Sequence, residues 1–436
     1  MPTPLTGLLR RSPMACPTSV AVSPCHRHTA GLVFNPSIPQ VMHIDLNSCF
    51  ASVEQQANPL LRHRPVAVVH SDAPYGCILA PSVEAKLWGV KTGMTLAEGR
   101  ERCPILISRI ADPPKYREVH HRFATLLSDY APHPLAKSID EFVLSLPTGC
   151  NPVGVVAEIK ARIKKEIGDY LRVSVGISTN QNLAKLASGL HKPDGFDVID
   201  KNNYKDIYGR ITLQDFCGIN IRNEARLHKV GIFTPLQFYQ ASRQTLKAAF
   251  ESVLGDYWYS RLRGYEVDLP AVLRTALQAG DVPQKSFGQS YVLPHPMARD
   301  EWYPIMAKLV SKAGRRMRKD GYGASATHLS LRYADHSHYR LGHKLKTTLH
   351  SDHDLITAIS SLSPSSDNKV KKVAITLFGI GKEDNQESLF VDKVKEKRLV
   401  TALDELNTRY GDYTVSYASL MGSAGHVRDA IAFGKI

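Results

Sequence analysis

Apolar residues recur at two spacings along this chain, and the change of spacing divides it. Up to about residue 200, short β-branched runs alternate with stretches of helical period. Strands are expected at residues 41–45, 65–70, 139–146 and 172–177. Helices are expected from residue 51, at 82–87, at 116–130 (where Phe123, Leu126, Leu127 and Tyr130 share a face), at 153–167 and at 180–190. From residue 212 the pattern is helical, and residues 271–283 lack periodicity and read as a linker. A second α+β segment follows, with a helix at 299–320 and strands at 326–333, 343–349 and 372–378. The first forty residues differ. They are rich in Pro, Ser, Thr and His, and carry no Asp or Glu before Asp45. Arg10-Arg11 beside Leu8-Leu9 hints at a transit segment, but Pro2, Pro4, Pro13 and Pro17 oppose an amphipathic helix. Residues 1–39 are therefore expected to be a disordered extension.

Composition narrows the function classes. A chain of 436 residues and 48.3 kDa exceeds a single core and implies two to four domains. A net charge of +14 points to a polyanionic partner. Nucleic acid fits better than an anionic membrane surface, because no apolar run approaches membrane-spanning length. The seven cysteines contain no C-x-x-C pair, which speaks against a disulfide framework or zinc site and suits a reducing cytoplasm.

Two acidic clusters carry the chemistry. His43-Ile44-Asp45-Leu46-Asn47-Ser48-Cys49-Phe50 and Ser138-Ile139-Asp140-Glu141-Phe142-Val143-Leu144 each set carboxylates at the tip of a strand-like run. Taken singly, an Asp beside a strand is most often a turn or helix cap. Taken together, converging carboxylates repel unless a cation lies between them. Mg²⁺ prefers such oxygen ligands together with substrate phosphates, so Asp45, Asp140 and Glu141 suggest two-metal phosphoryl transfer.

Four segments then occur in order: M-H-I-D-L-N-S-C-F-A-S-V-E from Met42, G-C-I-L-A-P-S-V-E-A-K-L-W-G-V-K-T-G-M from Gly76, K-S-I-D-E-F-V-L-S-L from Lys137, and V-S-V-G-I-S-T-N-Q-N-L-A-K-L-A-S-G-L-H-K-P-D-G from Val173. This series resembles the Y-family (translesion) DNA polymerases of the polymerase IV and V type, from about Val41 to the C-terminus. The resemblance implies an α+β multidomain right-hand polymerase. Its palm would comprise residues 40–48 and 113–200, small fingers 49–112, a helical thumb 201–270 and a C-terminal α+β little finger 284–380, with a tail at 381–436. It implies primer-template DNA and dNTP as partners, two Mg²⁺ per site, a monomer, and no membrane.

By the same resemblance, Asp45 and Asp140 are metal ligands with the Leu46 carbonyl, and Glu141 completes the catalytic set. Phe50 matches the aromatic steric gate against a 2′-hydroxyl, with Cys49 beside it where an aromatic is common. Lys86 and Lys192 match phosphate-binding basic positions. Asn47 stands where polymerase IV types often have Asp and polymerase V types Asn. Val83 replaces a typical Tyr and Lys86 a typical Arg, which mixes the two subgroups. Cys77 and Leu79 align with the roof over the nascent base pair, and the bulk of Leu79 favours bypass of minor-groove or abasic damage over large cross-linked lesions.

For DNA contact, Gly218 and Asn220 lie in a segment resembling a helix-hairpin-helix, which aims backbone N–H groups at a phosphate. Lys285, Ser286, Gly288 and Arg332 belong to the little-finger segment, and Lys312, Arg315, Arg316, Arg318 and Lys319 cluster on its helix, where phosphate contact competes with a merely solvated face. Gln386, Leu389 and Phe390 resemble a peptide that docks bacterial polymerases to the sliding clamp. Two rivals stand beside the polymerase: a non-catalytic adaptor binding DNA and clamp, disfavoured by the intact acids, and a nucleotide cyclase, disfavoured by the thumb-like and basic C-terminal segments.

Overall fold

The computed structural model describes residues 32–131, 134–147, 149–267, 285–366, 368–382, 393–423 and 425–427. They fall into two compact units, residues 38–199 with 266 onward, and residues up to 37 with 200–265.

A five-stranded sheet forms the centre of the first unit. Its strands are β1 (Val41–Leu46), β5 (Leu135–Ala136), β6 (Glu141–Ser145), β7 (Val173–Ser178) and β8 (Phe196–Val198), in the order β5-β6-β1-β7-β8. β1 is antiparallel to both neighbours, so the end of β1 and the beginning of β6 meet at one edge, with Asp45 opposite Glu141. Met42, Ile44, Phe142, Leu144, Val175 and Ile177 are buried beneath the helices Pro113–Ser128 and Pro152–Arg162. The helix Gln181–Leu190 presses closely on β7. A Cβ at Gly176 would lie 2.1 Å from the Ala184 carbonyl oxygen, so only glycine admits this approach.

Between β1 and β5 the chain builds a small three-stranded sheet, β2 (Val66–Val69), β3 (Ile78–Pro81) and β4 (Ile107–Ile110), ordered β3-β2-β4. Its core is compact, with Ala67, Val69, Ile78, Ala85 and Leu96 fully buried. The C-terminal part is a four-stranded antiparallel sheet, β11-β10-β12-β9, made of β9 (Ser286–Met297), β10 (Tyr322–Tyr333), β11 (His338–Leu349) and β12 (Val370–Lys382). The 21-residue helix Arg299–Lys319 packs Ile305, Leu309, Val310, Ala313 and Met317 into its core. Among the described residues no helix is long and apolar enough to cross a membrane.

Four expectations change. The strand expected from Ile139 starts at Glu141: Lys137 N–H donates to the Glu141 carbonyl at 2.8 Å, closing a tight turn that carries Asp140. The helix expected through residue 167 is α-helical only to Arg162 and ends in a π turn, Ile163–Ile167. The last part of the extension expected to be disordered, residues 32–37, packs within the helical unit. Phe34 stacks on Tyr204 at 4.2 Å, Arg263 Nε donates to the Leu32 carbonyl at 2.8 Å, and Asn35 N–H donates to the Arg263 carbonyl at 2.8 Å. Arg263 is itself buried between the Tyr239 and Tyr259 rings, which explains its hold on this segment. Within the expected tail, residues 393–410 form a helix, Lys393–Tyr410.

Candidate active site

Pairing of β1 with β6 creates the acidic edge. Asp45 and Glu141 are register partners, and Leu46 N–H donates to the Asp140 carbonyl at 2.9 Å, binding the turn to the end of β1. All three acids are partly exposed at this edge. Ser138 Oγ donates to Asp140 Oδ1 at 2.5 Å. Burial, with repulsion from Asp45 and Glu141, raises the Asp140 pKa despite that bond. Glu141 behaves oppositely. Burial would raise it, but His43 and two short bonds from Lys185 Nζ (2.8 and 2.7 Å) hold it at about 2.

Cations gather on these acids. Lys192 Nζ lies 2.7 Å from Asp45 Oδ1. Lys86, on the helix Val83–Leu87 capped by Ser82, feels the same acids from the small-sheet side. Its pKa is lowered by the walls around its ammonium and next by Lys192, while Asp45 and Asp140 pull it back up. The site therefore holds excess negative charge on Asp140 and two ammonium groups within electrostatic reach of each other.

The residues fit hard divalent cations. Among the described residues no three His, Cys, Asp or Glu side chains gather as a complete metal cage. One or two carboxylates suffice for a hard divalent cation that takes its remaining ligands from substrate phosphates and water, and the lysines beside them can turn to those phosphates.

Phe50 opens the helix Cys49–Ala57 and is 5 % exposed. Its ring stacks on Tyr116 (centroids 4.5 Å apart, planes at 14°), and Tyr116 OH donates to the buried Glu54 at 3.0 Å. Lys115 Nζ reaches the same carboxylate at 2.9 Å. Cys49, expected beside the nucleotide, lies in the core, where burial and then Asp140 and Asp45 push its thiol well up. Leu79 is half-buried on the small sheet, and Cys77, just before β3, is exposed.

The expected DNA-contact residues belong to both units. Gly218 has φ of +104°, and Asn220 caps the helix Ile221–Lys229, its side chain accepting from Arg222 and Asn223 N–H. Asn220 is thus occupied as a cap. Lys285 is exposed just before β9, Ser286 and Gly288 lie in β9, and Arg332 in β10 sits 2.7 Å from His336 Nδ1. Two of the five cations clustered on the helix Arg299–Lys319 pair with carboxylates from later segments. Arg318 donates to Asp404 at 2.7 and 3.0 Å and to Asp352 at 2.7 Å, Arg315 pairs with Asp412, and Arg316 donates to the Gly288 carbonyl at 2.7 Å. These bonds engage Arg315 and Arg318 within the protein. Gln386, Leu389 and Phe390 lie outside the described residues.

Sequence reasoning missed His43, Lys185, Ser138 and Tyr116. Lys185 left one signal, a lone cation in the otherwise uncharged helix Gln181–Leu190.

Residues 44–189 match the impB/mucB/samB family, and residues 284–389 match the impB/mucB/samB family C-terminal domain. The chain is 32 % identical over 405 residues to a DNA polymerase IV of Moorella thermoacetica, covering 88 % of this chain and 97 % of that protein. It is 27 % identical over 386 residues to DNA polymerase IV 1 of Bacillus subtilis, covering 85 % and 90 %. A solved Y-family DNA polymerase chimera superposes with a TM-score of 0.66 at 21 % identity, over 79 % of this chain and 99 % of that one, a likeness of fold.

Proposed function

The chain belongs to the impB/mucB/samB family, the Y-family DNA polymerases, and on that premise we propose how its acidic edge performs the reaction. It is a DNA-directed DNA polymerase of the translesion type with palm, fingers, thumb and little finger, adding dNMP from dNTP to a primer 3′-hydroxyl without proofreading. Its chemistry is metal-dependent.

Asp45 and Asp140, with the Leu46 carbonyl, would hold two Mg²⁺, and Glu141 would face the primer side. Bound there, the ions would lower the pKa of the 3′-hydroxyl and neutralise charge on the α-phosphate and leaving pyrophosphate. The observation that carries this reading is the juxtaposition of Asp45 with Glu141 across β1 and β6, with Asp140 in the adjoining turn. Lys192, now on Asp45, can exchange that carboxylate for phosphate oxygens, and Lys86 adds a second positive charge. Lys supplies a point charge where Arg would supply a fork, so Lys192 carries more of the grip. Phe50, held flat by Tyr116, excludes a 2′-hydroxyl, and Cys49 packs in the same core beside it.

Gly218 and Asn220, and separately Lys285, Ser286, Gly288 and Arg332, would meet the DNA backbone. Gln386, Leu389 and Phe390 would dock to a sliding clamp, and the enzyme would work in the cytoplasm. Primer extension with Mg²⁺, compared with the double variant Asp140→Ala, Glu141→Ala, tests the site. The expected result is extension by the wild type alone; equal, negligible activity in both would return the protein to the adaptor class.

A further inference from the structure

Asn47 lies two residues beyond Asp45 and is 5 % exposed, yet the reaction described above gives it no task. Its backbone is anchored on both sides: Asn47 N–H donates to the Arg172 carbonyl at 2.9 Å, and its carbonyl accepts from Ser52 Oγ at 2.6 Å. Its side chain reaches away from the strand. Oδ1 accepts from Asp194 N–H at 2.7 Å, and Nδ2 donates to Ser174 Oγ at 3.0 Å. Ser174, on β7 opposite Asp45, accepts in turn from Gly195 N–H at 3.3 Å. Lys160 grips the far side of the same loop through the Gly195 carbonyl at 3.1 Å and Asp194 Oδ1 at 3.1 Å. Lys192 stands two residues before the backbone amide that Asn47 holds, and its ammonium ends at Asp45.

We infer that Asn47 is a positioning residue that fixes the loop 192–195 against the end of β1, and so sets where Lys192 presents its ammonium to the phosphates of the incoming nucleotide. The inference rests on the proposed role of Lys192. The metal-facing carboxylate and the phosphate-facing cation belong to segments about 150 residues apart in sequence. One short chain of bonds, Asp45–Leu46–Asn47–Asp194, ties them at the site. Asp keeps the acceptor toward Asp194 N–H and can accept from Ser174 Oγ, which already lies 3.2 Å from Asn47 Oδ1, whereas Ala does neither.

The test is a double-mutant cycle read in steady-state kinetics of single-nucleotide insertion on undamaged DNA. Asn47→Ala should raise KM for dNTP about tenfold, the worth of one lost hydrogen bond to a positioned loop, with kcat changed much less. Asn47→Asp should restore KM to near the wild-type value. On a Lys192→Ala background, Asn47→Ala should add almost nothing. If Lys192→Ala leaves KM unmoved, the reading of Lys192 fails. If Lys192→Ala raises KM but Asn47→Ala still adds its full effect, Lys192 keeps its role and the inference about Asn47 is overturned. A KM unmoved by Asn47→Ala in a folded protein overturns it equally. Where Asn47→Ala does not fold, Ser174→Ala removes the companion leg and should give the same pattern at about threefold.

Discussion

The acidic edge of the five-stranded sheet and the basic helix of the C-terminal domain are both crowded with charge, and they treat it in opposite ways. At the edge, Asp140 stays under-compensated: burial, Asp45 and Glu141 raise its pKa, and the nearby ammonium groups are shared out to Asp45 and Glu141. On the helix Arg299–Lys319, Arg318 is 12 % exposed and is saturated by Asp404, Asp352 and the His350 carbonyl. Closed pairs hold a fold together, whereas open charge costs stability and remains available to cations and phosphates.

The contrast can be broken most sharply at Asp140. Asp140→Asn keeps the acceptor for Ser138 but removes the charge, so insertion should fall by at least about 10³-fold, as when a transition-state electrostatic partner is lost. Its thermal midpoint should hold or rise, because a carboxylate whose folded pKa is raised destabilises the fold once ionised. Insertion within tenfold of wild type, or a clear loss of stability, would undo the first half of the comparison.

Arg318→Ala should do the reverse. Breaking a buried pair from one side costs about 3 kcal/mol, visible in urea unfolding, while insertion by the folded protein and its DNA affinity stay near wild type. Intact stability with a tenfold weaker grip on DNA would restore Arg318 to phosphate binding.

Smaller effects sharpen the edge itself. Phe50→Val should relax discrimination against ribonucleotides by about 10- to 100-fold in competition between dNTP and NTP, the range for reshaping an apolar pocket. Unchanged discrimination would remove Phe50 from the gate. Glu84, on the same short helix as Lys86, is a charge held by neutral hydrogen-bond donors. Burial works to raise its pKa, but Gln55, Ser82 and Tyr170 outweigh it and the net direction is down. A depressed folded pKa gives stability that is present above the ordinary carboxylate value and is lost as pH falls through the folded one. Wild type should exceed Glu84→Gln by about 1 kcal/mol at pH 7, and the gap should shrink below pH 4.5. A gap independent of pH would show that Glu84 acts by shape alone.

Much of this was legible in the chain because strand period and carboxylate position are local properties. The runs around Asp45 and Asp140 pointed to one edge, and the order of four motifs joined them to Phe50, Lys86 and Lys192. The turn that withdraws Asp140 from its strand was not legible, since Ile139 continues the apolar pattern and only the bond from Lys137 N–H to the Glu141 carbonyl decides it. The pairing of the basic helix was hidden for a related reason. Its counter-charges, Asp404 and Asp412, lie 86 and 97 residues on, in a segment whose pattern gave no hint of where it docks. Residues 32–37 read as part of a disordered extension, yet their partner Arg263 is 231 residues from Leu32.

Composition, strand period and motif order by themselves determined the class of protein, its polyanionic partner and which acids to propose for the chemistry, because those follow from residue type and short-range spacing. The assignment of each cation was decided only in three dimensions: Lys185 to Glu141, Lys192 to Asp45, Arg318 to Asp404. Electrostatic pairing depends on distance and burial, and the sheet register and loop anchoring that set both arise from contacts between distant parts of the chain.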